Sequence, residues 1–321
     1  MQTAEPKQQK QRILPILFII LLFALMFIPG WQDLRGLCAG LIAGLVFSFY
    51  PWYLAGAVTL LALAVGGFSQ AWSAFLPDCL MTVPLCILLG CFFKKPQEPP
   101  VILLSSLLTE TAGLSVALLL ASRRAGFNLL DRFFDDMSTN LSASFTELAQ
   151  AGAFPENVDL AQLQELFLNM VETYRLRVPF FLLLGASAIA VLFYLALLCL
   201  RRSCGKKASP LPPFRYFRLT RPAAVLIVLS FIGSLLFSGT VATALENLYT
   251  YLTLMMVVSG LSYAAYWLKR KGISTPLRGL ILVVGTGIAL FFSILWYLLL
   301  MLGLTDAMWN LRGLRFTERK E

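Results

Sequence analysis

Histidine is absent from all 321 residues, and charge is scarce, with Asp, Glu, Lys and Arg making up 13% of the chain. Without histidine the chain has neither the commonest metal ligand nor the commonest general base, which speaks against Ser–His hydrolysis and metalloprotease-like chemistry. The six cysteines, Cys38, Cys79, Cys86, Cys91, Cys199 and Cys204, include no C-x-x-C pair. Five stand in apolar runs, which suits packing better than ligation or disulfide formation. No G-x-x-x-x-G-K-[ST] loop is present to cradle a phosphate, so any ATP hydrolysis must belong to a partner. These absences predict no catalytic residue, no cofactor and no metal.

What the chain has instead is apolar surface. It is 58% hydrophobic, with a mean hydropathy of +0.76, and its apolar runs repeatedly exceed the roughly 18 residues of a membrane span. The composition predicts an all-α polytopic membrane bundle, with the lipid bilayer as its first partner. The net charge of +9 lies in short loops and gives no reason to expect nucleic acid. Eight or nine spans are expected: 13–29, two within 37–76, then 77–93, 101–121, 179–200, 222–243, 247–268 and 278–303. The 37–76 run is divided at "FSFYPWY", where Pro51 and the aromatics suit an interfacial turn. "MFIPGWQDLRG" offers no small-x-small cleavage site, so the first run is expected to stay as a span.

The expected domains are an N-terminal bundle over 1–126, an extramembrane hairpin over 127–178 and a C-terminal bundle over 179–321. With a cytoplasmic N-terminus, Lys94/Lys95, the 201–221 loop and the Lys269–Arg278 loop all fall inside, as basic loops should. Arg123/Arg124 and the C-terminus resist this alternation. A re-entrant hairpin around Gly285 and Gly287 would return the C-terminus inside, but one long tilted span is the expectation. The surface basic residues are Arg201, Arg202, Arg215, Arg218, Arg221, Lys269, Arg270 and Lys271, with "PPFRYF" holding arginines at the headgroups.

Residues 127–178 carry eight acidic side chains against three arginines. Apolar residues recur there at helical spacing on either side of "AGAFPENVD", which predicts two amphipathic helices with Asn157 or Asp159 as an N-cap. This pair, expected to be extracytoplasmic by charge alternation, either covers the outer mouth of the bundle or lies on the lipid interface.

Three features invite a functional reading. Glu110 stands at the centre of "ILLSSLLTETAGLSVALLLA", where a carboxylate costs roughly 2.5 kcal/mol or more to insert. Ser106, Glu110, Gly113 and Ala117 share a helical face, and Leu103, Leu107, Leu114 and Leu118 are expected to face lipid. The acid is either neutral and hydrogen-bonded between helices, or it meets water, a coupling ion or a solute. Ser106, Asn247 and Glu246 complete the candidate ligand-binding set. Second, Gly36, Gly40 and Gly44, interleaved with Ala39 and Ala43, form a small-residue ladder that either packs inside the bundle or docks a second membrane subunit. Third, "LGLTDAMWNLRG" places Asp306 and Arg312 six apart at an expected water boundary, where an ion pair contributes only ~0–1 kcal/mol.

"PPFRYFRL", "ENLYTYLTLMMVVSGLSYAAYWLKRKG" and the closing "LGLTDAMWNLR" together resemble the YybS-like family of uncharacterised bacterial membrane proteins. The resemblance is most specific over 179–315, and Ser259 departs from it, standing where the family carries glutamine before the glycine. Such proteins are similar in turn to the substrate-binding S-components of energy-coupling-factor transporters. That likeness implies a solute-binding bundle without ATPase activity of its own. It also implies Glu110 in the pocket, and a membrane coupling subunit with ATPases docked on the glycine ladder. A non-transporting scaffold or regulator acting through its loops is the alternative.

Overall fold

The computed structural model describes residues 5–28, 34–69, 72–95, 97–152, 159–206 and 210–313, which fold into twelve α-helices with no strand among them. The chain divides at Pro210 into two compact units. The helix at 178–203 packs with the N-terminal helices, so the division falls one helix later than the 178/179 boundary drawn from the sequence.

In the first unit, α2 (Arg35–Phe49) is the central element, buried on nearly every side. It packs against α1 (Glu5–Leu25), α3 (Trp52–Ser69), α4 (Trp72–Lys94) and α8 (Val178–Ser203). The break between α2 and α3 falls at Tyr50–Pro51, as expected, because proline cannot continue the hydrogen-bond ladder of the preceding helix. α2 and α4 run parallel in four-residue register. A Cβ added at Gly36 would lie 2.5 Å from that of Asp78, and one at Gly40 would lie 2.9 Å from that of Thr82. At Gly44 it would meet the Cys86 carbonyl at 3.1 Å, and Gly90 on α4 approaches the Gly44 carbonyl in return. The Thr82 hydroxyl donates to the Gly36 carbonyl at 2.7 Å across this contact. Ala39 and Ala43 are wholly buried on the same helix. The ladder is therefore packed by the chain's own α4 and α8, the first of the two roles open to it from the sequence.

α5 (Pro99–Ala125) packs on α4 and α8. Between α5 and α8 the chain forms α6 (Leu129–Gln150) and α7 (Leu160–Leu176), the expected amphipathic pair. Asn128 caps α6, and the Asp159 carboxylate caps α7 by accepting from the Gln162 amide at 3.1 Å. Asn157 and the turn expected over 153–158 lie outside the described residues.

The second unit holds α9 (Arg221–Leu236), α10 (Gly239–Arg270), α11 (Thr275–Phe291) and α12 (Ser293–Trp309). Two span boundaries are corrected here. The turn expected near 244–246 lies instead at Phe237–Ser238, where the backbone is extended and Gly239 takes φ +65°. Asn247 does not break α10, because its amide donates back to the Thr243 carbonyl of the same helix at 2.9 Å. The long span expected over 278–303 does not form either: α11 and α12 are bent by 120°. The end of α12 lies beside the start of α9, where Arg221 Nε donates to the Met308 carbonyl at 2.8 Å.

Among the described residues four helices are long and apolar enough to cross a bilayer: Phe75–Lys94, Pro99–Ala125, Val178–Ser203 and Gly239–Arg270. The bent α11–α12 pair makes a fifth if counted as one span. The remaining apolar helices, Ile13–Leu25, Arg35–Phe49, Trp52–Phe68 and Arg221–Leu236, reach only about 20–26 Å at 1.5 Å per residue, against a hydrocarbon core of about 30 Å. The expected eight or nine crossings thus become four or five by length, with four shorter apolar helices in place of the rest.

Candidate functional site

Glu110 lies near the middle of α5, about 16 Å from its start at 1.5 Å per residue. Its side chain is fully buried, and neither carboxyl oxygen has a hydrogen-bond partner among the described residues. One turn before it, the Ser106 hydroxyl is also buried and also unpartnered. Gly113 lets α5 approach α4 closely, since a Cβ there would come within 2.6 Å of the Leu80 carbonyl. Cys86, wholly buried on α4, is within electrostatic range of Glu110. Ser106, Glu110 and Ala117 share the buried face, as their spacing predicts.

The lipid-facing stripe is corrected in part. Leu103 is exposed as expected, but Leu107, Leu114 and Leu118 are half-buried, whereas Leu104, Leu108 and Leu119 are more than half exposed. At 100° per residue Leu107, Leu114 and Leu118 stand only roughly 40–80° from Glu110, whereas Leu104, Leu108 and Leu119 stand roughly 120–180° away.

Asn247 and Glu246 belong to the second unit, where Asn247 is buried and Glu246 is exposed.

The second unit carries a polar centre that the sequence placed at an exposed edge. Asp306 and Arg312 are both fully buried, with Arg312 Nη2 2.7 Å from Asp306 Oδ2 and Nε donating to the same oxygen at 2.9 Å. Nη1 also donates to the Arg215 carbonyl at 2.7 Å and to the Ser262 hydroxyl at 2.9 Å. Nη2 reaches the Phe217 carbonyl at 3.0 Å and the Ser259 carbonyl at 3.4 Å. Ser262 in turn donates to the Phe214 carbonyl at 2.6 Å.

A guanidinium offers five N–H donors in a rigid fork, and here each nitrogen has acceptors. Local backbone chemistry brings it there: Asn310 ends α12 in the left-handed conformation, φ 50°, turning the chain back so that Arg312 meets Asp306. Gly260 and Gly303 make the crossing that gathers the parts, because a Cβ on either would strike the Leu299 or the Met256 carbonyl of the facing helix. Asp306 and Arg312 were legible as a pair. Ser259, Ser262 and the carbonyls of 214–217 were not, and the only signal for them was a glycine in each of two apolar helices.

The basic residues do not form one surface. Arg201 is 5% exposed, with its guanidinium 4.6 Å from the Phe93 ring and 5.6 Å from the Phe49 ring. Its place at the converging C-terminal ends of α2, α4 and α8 sets a cation against three negative helix ends. Arg202 is exposed. In the second unit Arg215 stacks on Tyr216 at 4.8 Å, and Arg218 bonds the Asn310 side chain. Burial pulls the Arg218 guanidinium below its usual range, while nearby Asp306 opposes the shift. Arg221, Lys269, Arg270 and Lys271 are exposed, the last lying 5.3 Å from the Trp267 ring.

No curated protein and no solved structure matches the chain. A protein-family match runs over residues 8–307, nearly the whole length. With its buried polar centres inside apolar helices, the chain belongs to the DUF2232 family of predicted membrane proteins.

Proposed function

We propose that the chain is a transport-associated, non-enzymatic membrane protein whose first unit presents Glu110 to a cation or a small polar solute. One observation carries this reading: the acid is wholly enclosed in an apolar bundle, yet both its oxygens, and the neighbouring Ser106 hydroxyl, lack partners among the described residues. Unsatisfied buried polar groups are costly and are kept where they serve a ligand or a proton. The likeness to YybS-like proteins, and through them to transporter S-components, agrees with it. Burial of the Gly36–Gly44 ladder gives no support to a coupling subunit docking there, so any such partner uses another face.

The same reading places the protein in a bacterial inner membrane with a cytoplasmic N-terminus and basic loops inside. The return of α12 toward the start of α9 then puts its C-terminal end on the basic side as well, in keeping with the charge rule. A scaffold or regulator remains the second reading. It is favoured by the way Arg312 pins the backbone of 214–217 and so fixes a basic loop in one shape.

The test is to purify the protein in mild detergent and analyse what accompanies it by mass spectrometry, beside Glu110→Gln. Wild type is expected to retain a small solute or to take up a cation that the variant does not. Identical retention, together with unchanged growth of Glu110→Gln cells on limiting nutrients, would rule the transport reading out.

A further inference from the structure

We propose that α6–α7 is a membrane-surface hairpin, lying with its apolar face on the lipid interface beside α5 and α8 and its acids toward water. The tethers fix its height. Only Gly126, Phe127 and Asn128 join α5 to α6, and only Arg177 joins α7 to α8. Three residues reach about 10 Å at most, and α5 and α8 are neighbouring spans. The hairpin therefore starts and ends at one membrane surface.

The two helices meet along part of their length, where the Phe145 and Phe167 rings lie 5.4 Å apart, but large apolar side chains on both stay uncovered. Phe134 is the one buried residue of α6, and Val171 the one buried residue of α7. Phe133, Met137 and Leu148 on α6 remain exposed, as do Leu166, Met170 and Tyr174 on α7. A shallow groove of about 440 Å³ runs along α6, lined by Phe133, Met137 and Leu141 and also by Asp136, Asn140 and Ser144. Large apolar side chains exposed in this number mark a surface that meets a partner or lipid.

What covers it follows from continuity and charge. Tyr174 stacks near Phe181, with ring centroids 6.1 Å apart, and Phe181 belongs to the first turn of the α8 span. The exposed apolar face of α7 thus runs into the lipid-facing side of a membrane helix, with rings at the depth where aromatics favour the interface. Asp131 and Asp135 lie on the other side, bridged by Arg175 at 2.5 Å and 3.5 Å, and Asp136 borders the groove. Eight acids against three arginines over 127–178 fit zwitterionic headgroups and disfavour an anionic leaflet. Within the first unit the hairpin meets α5 and α8 where it is joined to them, which favours the interface over the mouth, the other placement open from the sequence.

Nitroxide labels test this in the full-length protein, with the exposed Cys91 and Cys199 replaced by serine, in phosphatidylcholine vesicles. Labels go on Met137→Cys and Met170→Cys for the apolar face, and on Thr139→Cys and Glu172→Cys for the water face. Oxygen is expected to collide more often than a water-soluble nickel chelate at 137 and 170, with the order reversed at 139 and 172. Preference for the chelate at all four positions would overturn the proposal by placing the hairpin in water. Shielding from both reagents at 137 and 170 would overturn it too, by placing protein against that face.

Discussion

Removing one partner of the Asp306–Arg312 pair leaves the other charge buried with nothing to answer it. The Asp306→Ala variant should lose about 3–5 kcal/mol of stability, as measured by unfolding in lipid nanodiscs, because five donors would then converge on acceptors without a counter-charge. The double variant Asp306→Leu/Arg312→Leu should be less destabilised than the sum of the two single changes, since it buries no charge. Additive losses would mean that the two residues act independently. Glu110 is the opposite case: a fully enclosed acid with no partner among the described residues. Its replacement by glutamine is expected to leave stability nearly unchanged while removing ligand or cation retention.

Among the elements, helix crossings decide what the sequence can tolerate. Gly260→Leu or Gly303→Leu would force α10 and α12 apart at their closest backbone contact, so the protein should fail to accumulate as a monodisperse species in size-exclusion chromatography. Gly285→Leu faces open space and should be recovered at wild-type yield. Equal yields for Gly260→Leu and Gly285→Leu would show that the crossing does not matter. The glycine ladder of α2 was legible as a small-residue face, but the sequence did not say what fills it. Spacing marks a face and leaves the neighbour open, and the neighbour proved to be α4. The amphipathic pair and the Asp159 cap were legible because capping and period are local. The turn at Phe237–Ser238 was not, because an apolar run gives no local sign of where it reverses and the polar Glu246–Asn247 pair was a false one.

For the whole molecule, composition alone established an all-α membrane protein, while the number of full crossings depended on where helices stop. The 120° bend between α11 and α12 has a topological consequence. Cysteines introduced at Lys271 and Leu311 should label with an impermeant reagent from the same side of sealed vesicles. Labelling from opposite sides would restore a single crossing between them.

Glu110 as a free acid inside the first unit is tested most directly by a hydrophobic carbodiimide in lipid nanodiscs at neutral pH, read out by peptide mass spectrometry. A protonated acid in apolar surroundings adds across the reagent and rearranges to a stable acylurea. The expected result is modification at Glu110 that the bound cation or solute prevents, with Asp306, held by Arg312, left untouched. A Glu110 peptide that stays unmodified while exposed acids of the hairpin react would contradict the assignment.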